Sequence, residues 1–242
     1  MAAVAPNVDT WLVVTPHDLA DSHNFLVFGG DAAGGNGDES EANYSYTMPP
    51  LALPLDVDLG AAVAAAVANC SVLSSPGAGG VPLLWGSVVP LYFLLAGANA
   101  NASAVILSVP SRRLTDNAVP MTAELLRVGQ ALARVAAASP KRIGLVISGD
   151  LAHTYLPGGP YGWSPDAHPF DDAVALWLWG GANAGHMETL KKLAPSALSC
   201  AYAGLAVLAG VSGTIRLALK SLFGPVAPGY YGMLVAQFSP VQ

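Results

Sequence analysis

From Thr10 to Asp18 the chain reads "TWLVVTPHD", a continuous apolar, β-branched run that turns polar only at its end. A run without alternation marks a strand buried on both faces. "SAVILSV" (Ser103 to Val109) and "RIGLVIS" (Arg142 to Ser148) repeat the pattern. Between and after them the spacing changes. "DLGAAVAAAVAN" (Asp58 to Asn69) is alanine-rich, opens on an acidic cap and has no internal proline, which predicts a helix. Val119 to Ser139 carries apolar residues three and four apart with charges between, an amphipathic helix. Phe170 to Gly181 predicts a helix closed by glycines, Ala197 to Gly210 a buried helix, and Tyr230 to Phe238 a last strand. Strands alternating with helices predict an α/β fold, a single domain over residues 1–242 with a mostly parallel or mixed central sheet flanked by helices.

Two stretches interrupt this order. "GGDAAGGNGDESEANYSYTMPP", ending at Pro50, is rich in Gly and acid and predicts a mobile loop or a hairpin with a long tip. "SSPGAGG" (Ser74 to Gly80) is a loop; no Lys-Ser/Thr follows it and no strand leads into it, so its glycines do not form a phosphate-binding motif.

Composition narrows the functional classes. Hydrophobic residues make up 53% and charged residues 11%, so much of the chain should be buried, and a homo-oligomer would hide further apolar surface. A net charge of −6 with ten Lys plus Arg argues against nucleic acid, which needs clustered cations. The longest apolar runs are about eleven residues, short of the roughly 20 that span a bilayer, so no membrane partner is expected. "MAAVAP" has no basic region ahead of an apolar one, and the expected location is cytoplasmic, with Cys70 and Cys200 reduced. The sequons at Asn43, Asn69 and Asn101 then have no role.

Of the five histidines, His17 and His153 fall just past the ends of predicted strands, where open α/β sheets bind ligands. A hydrolase built on Ser148, Asp150 and His153 lacks the G-x-S-x-G elbow. No H-E-x-x-H or paired-cysteine zinc spacing occurs, and His186 with Glu188 fits an exposed helix start.

"SGDLAH" followed by "PGGPYGWSPDAHPFDD" resembles the signature region of class III extradiol ring-cleavage dioxygenases, those similar to the β chain of protocatechuate 4,5-dioxygenase. "VDTWLVVTPHD", "VPLYFLL" and "PGYYGMLVAQF" follow the family's order along most of the chain. The resemblance implies an Fe(II)-dependent enzyme that opens catecholic rings with O2. It implies His17 as a metal ligand, His153 as the catalytic acid/base, Asp150 as the residue fixing its loop, and Tyr155 and Trp85 as substrate contacts. Imidazole suits such proton transfer.

The chain departs from that family at three places. The family's other metal-binding histidine lies on an earlier strand, so this reading expects the first strand to be missing. Trp85 stands where the family has an active-site histidine, and an indole can stack or donate one hydrogen bond but cannot shuttle a proton. "SLFGP" puts Phe223 where many members carry the carboxylate ligand, and no acidic residue follows Glu188. These departures suit an alternative: a catalytically inactive, Memo-like binding protein that keeps the fold without the metal site.

Overall fold

The computed structural model describes residues 7–36, 39–41, 44–46, 49–74, 80–97, 101–183, 185 and 187–241. Asn43, His186 and most of the 74–80 loop lie outside them. The chain divides into two compact units: Met1–Ser111 with Arg134–Ser148, and Arg112–Ala133 with Gly149–Gln242.

The first unit is built on a five-stranded sheet. Its strands are β1 (Thr10–Thr15), β2 (Phe25–Gly29), β7 (Cys70–Ser74), β9 (Ser103–Ser108) and β10 (Ile143–Ile147), in the order β10-β1-β9-β2-β7. β1 runs parallel to β10 and β9, whereas β2 meets β9 antiparallel, so the sheet is mixed. All six residues of β1 are buried. Alternate side chains leave opposite faces of a strand: Trp11 and Val13 join an apolar cluster with Val88 and Leu91, while Leu12 and Val14 are also fully buried. The unbroken apolar run predicts that two-sided burial.

The described residues of the Gly- and acid-rich stretch form paired strands. β3 (Ala32–Gly35) pairs antiparallel with β6 (Leu51–Pro54), and β4 (Glu39–Glu41) pairs with β5 (Tyr44–Tyr46) between them. β3 also takes β8 (Val81–Pro82) as a parallel neighbour. Helix α1 (Val57–Ala66) is capped by Asp56, whose Oδ1 accepts from Leu59 N at 3.2 Å, and not by Asp58 as its sequence suggests. Asp56 also accepts from Thr10 Oγ1 and Lys141 Nζ, both at 2.7 Å, which makes it a junction as well as a cap. α2 (Trp85–Gly97) packs on β1.

The second unit is mostly helical. α3 (Thr122–Ala138) contributes its residues through Ala133, followed by α4 (Ala167–Trp179), α5 (Glu188–Ala197) and α6 (Tyr202–Ser212). α3 and α6 cross at two glycines: a Cβ on Gly129 would lie 1.9 Å from Val207 O, and one on Gly210 would lie 2.1 Å from Leu126 O. The predicted last strand is β12 (Met233–Pro240), and it pairs antiparallel with β11 (Leu217–Val226) in a separate two-stranded sheet.

Candidate functional site

The chemistry-bearing residues fall in two places, one in each unit. In the first unit β1 ends at Thr15, whose Oγ1 accepts from His17 N at 3.0 Å and turns the chain. Asp18 is buried there, and Leu84 N donates to its Oδ1 at 2.7 Å while Ser87 Oγ donates to Oδ2. Leu84 immediately precedes α2 and Ser87 lies in its first turn, so Asp18 anchors the start of that helix from a distance. Burial pushes its carboxyl up to about 6. The anchor brings Trp85 over His17, with ring centroids 4.2 Å apart and planes at 28°. Gly86 permits the approach, since a Cβ would lie 2.5 Å from Thr15 Oγ1 and 2.7 Å from His17 Cβ. Ser148 Oγ donates to Gly86 O at 2.7 Å, so the hydroxyl considered as a nucleophile serves this turn.

In the second unit Gly149 packs against Ala201, where a Cβ would lie 2.8 Å from Ala201 Cα. That closeness explains the glycine of "SGDLAH". Asp150 O then accepts from Ala201 N at 3.0 Å and Ser199 Oγ at 3.1 Å, and Asp150 N donates to Cys200 Sγ at 3.0 Å. His153 is buried and held on two sides. Its backbone N donates to Ala197 O at 2.8 Å, and its Nδ1 lies 2.6 Å from Leu198 O. Leu198 ends α5 in the left-handed region, at φ 52°, a conformation uncommon for a branched side chain and often kept at functional sites.

A carbonyl oxygen can only accept, so Nδ1 carries the proton in that contact, and the lone pair of neutral imidazole sits on Nε2. Nε2 lies 3.6 Å from Asp150 Oδ2. The donor atoms of Asp150, His153 and Cys200 all lie within 4.8 Å of one another. Burial, and then the Asp150 charge, push the Cys200 thiol up to about 12. The Arg113 guanidinium is within electrostatic reach of that sulfur.

Aromatic rings surround the imidazole. Tyr161 meets it edge-on at 5.3 Å, and Tyr230 and Tyr231 lie at 6.2 and 6.4 Å. Tyr161 is 51% exposed, so this group of rings reaches solvent. Asp171, itself 1% exposed, accepts from Ala152 N at 2.9 Å and from Tyr155 Oη at 2.7 Å; burial pushes its carboxyl up to about 6 and, with Asp171, pushes the Tyr155 phenol up.

The structure therefore pairs His17 with Trp85, and Asp150 with His153. The hydroxyl of Tyr155 goes to Asp171, and its ring meets His168 edge-on at 4.6 Å. Cys200, Asp171, Arg113, Tyr161, Tyr230 and Tyr231 are not marked as site residues by the sequence. No local spacing ties Cys200 or the tyrosine pair to His153; the turn after α5 and the segment leading into β12 bring them in. Phe223 lies in β11 and is 69% exposed.

The iron expected from the resemblance needs two imidazoles and a carboxylate around one ion. Among the described residues, the group of three possible ligands is Asp150, His153 and Cys200, and His17 is not part of it. The described donors at His17 do not fit that iron.

Fold and sites together define an α/β protein with a mixed central sheet flanked by helices. It is similar to the crystal structure of an uncharacterized protein from Escherichia coli, with a TM-score of 0.50 and 18% sequence identity over 95% of this chain and 85% of that one. No protein-family model and no curated protein sequence matches the chain. No helix among the described residues is long and apolar enough to cross a membrane.

Proposed function

We propose that this protein binds a small phenolic or catecholic molecule beside His153 and does not cleave its ring with iron. The observation that carries this reading is the oriented imidazole: Nδ1 donates to Leu198 O, and Nε2 is the atom left to accept from a hydroxyl. Tyr161, Tyr230 and Tyr231 supply faces and edges suited to an aromatic ring. Asp150 stabilises the positive charge that develops on the imidazole when the hydroxyl gives up its proton. The Arg113 charge, which reaches Cys200, suits a ligand that carries a carboxylate. What speaks against ring cleavage is the donor set at His17, together with Trp85 stacked on that imidazole.

A cytoplasmic setting suits the two free thiols, Cys70 and Cys200. The reading is tested by supplying Fe(II) anaerobically, then adding protocatechuate and air. Quenching of protein fluorescence by protocatechuate without oxygen uptake is the expected result. Catechol-dependent oxygen uptake with yellow ring-opened product, lost in His17→Ala, would restore the dioxygenase reading.

A further inference from the structure

We propose that Asp150, His153 and Cys200 form a site for a zinc-like divalent cation. Three electron-pair donors of different chemistry converge there: a carboxylate oxygen, an imidazole nitrogen and a sulfur, all within 4.8 Å of one another. Carboxylate, imidazole and thiolate together suit zinc or cobalt better than magnesium or calcium, which favour oxygen throughout. The inference goes beyond aromatic binding and does not depend on it.

One pair of donors already has the spacing of ligands to a single ion. A tetrahedral zinc with bonds of about 2.0 to 2.3 Å holds its donors roughly 3.3 to 3.8 Å apart. His153 Nε2 and Asp150 Oδ2 are 3.6 Å apart, inside that window and too far for a good direct hydrogen bond. The imidazole is also oriented as a ligand requires. Metal-binding histidines donate their other ring N–H to a carbonyl or carboxylate, which fixes the tautomer and aims the lone pair at the ion. Here Nδ1 donates to Leu198 O at 2.6 Å.

The sulfur has corresponding support. Asp150 N donates to Cys200 Sγ at 3.0 Å, a contact that favours the thiolate and partly offsets the burial that keeps the thiol protonated without an ion. Two protein anions, Asp150 and the Cys200 thiolate, balance the two charges of the ion, and Cys200 releases its proton to solvent on binding. The charged and titratable groups around the cluster include Arg113, whose charge reaches Cys200, Tyr231, which feels the Asp150 charge, and Tyr161 and Tyr230 against the imidazole. The Arg113 charge favours the Cys200 thiolate over the thiol and by itself repels a cation, which the two protein anions must outweigh.

Three protein ligands leave a tetrahedral ion one open position, the arrangement of catalytic rather than structural zinc. A phenolate oxygen can fill it, in which case the ion takes the place of the ligand's hydroxyl proton at Nε2.

The test is titration of the chelator-treated full chain with Co(II) and Zn(II). About one equivalent of Co(II) should bind and give a near-ultraviolet sulfur-to-cobalt charge-transfer band, and Zn(II) should displace it. Cys200→Ser should abolish the band, and His153→Ala should weaken uptake at least tenfold. Zinc should also slow alkylation of Cys200 while leaving Cys70 as an internal control, a readout that needs no variant. Absence of the band and of thiol protection in the wild type would overturn the proposal, as would uptake unchanged in both variants while circular dichroism shows them folded. Binding of protocatechuate to chelator-treated protein reports separately on the aromatic reading.

Discussion

Tyr155 donates its hydroxyl to Asp171 Oδ2 at 2.7 Å, and the same carboxylate accepts from Ala152 N through Oδ1 at 2.9 Å. One buried acid therefore grips the chain on both sides of His153. The space around it is tight, since a Cβ on Gly232 would lie 1.8 Å from Oδ2. Removing the phenol hydroxyl with Tyr155→Phe leaves Ala152 N as the remaining donor to that carboxylate among the hydrogen bonds described. Tyr155→Phe should cost about 1 to 2 kcal/mol, and Asp171→Ala about 3 kcal/mol, because a buried amide is then left without its acceptor. Urea unfolding midpoints measure both. Protocatechuate affinity should fall in parallel, since the His153 segment loses its anchor.

Asp18 and Asp171 give the fold a signed dependence on pH. Each carboxyl is raised by burial from the usual 3.8 to about 6. The folded state then holds the proton more tightly than the unfolded one, so the stabilisation from protonation is complete below 3.8 and is lost as pH rises through about 6. Relative to Asp18→Asn or Asp171→Asn, the wild type should lose stability across that window and show a flat difference above it. Denaturant melts at several pH values test the sign.

The crossing of α3 and α6 should not tolerate a methyl group. Alanine at Gly129 gains about 1 kcal/mol of helix propensity. Its Cβ, however, would lie 1.9 Å from a backbone carbonyl that cannot rotate away. Overpacking of this kind costs about 3 kcal/mol, so the clash prevails. Gly129→Ala and Gly210→Ala should each lower the melting temperature by several degrees, whereas Gly158→Ala, with nothing within 4 Å, should leave it nearly unchanged.

Gly86→Ala tests the stacked pair at the end of β1. The new methyl would press on Thr15 Oγ1 and His17 Cβ, at a cost of about 1 to 3 kcal/mol. Trp85→Ala should cost about 1 kcal/mol for the lost stack on top of the lost burial of its half-buried ring. Comparison of the two melting curves distinguishes the tight turn from the stack.

Within the central sheet, β2 goes unread although its short "FLVF" run is buried, whereas β1 and β9 are legible because two-sided burial leaves an unbroken apolar run, as at Thr10 to Thr15. β7 is not, since its "CSVLS" sits half exposed beside a glycine loop. β11 is hidden for a related reason: "LALKSLFGPV" forms a two-stranded ribbon with no residue fully buried, so burial imposes no period on it. His17 and His153 are legible by their place past strand ends. Cys200 and Asp171 are not, because what brings them to His153 is the packing of α4, α5 and α6, and packing leaves no local spacing in a sequence. The Asp56 cap shows the same limit: the carboxylate that caps α1 is chosen by Thr10 and Lys141 as much as by its neighbours.

Isothermal titration of protocatechuate into chelator-treated wild type and His153→Ala, under nitrogen, addresses aromatic binding at His153 most directly. Binding should saturate in the wild type and weaken at least tenfold in the variant, with His17→Ala close to wild type. Equal binding to wild type and His153→Ala, or no binding to either, would contradict aromatic binding at His153.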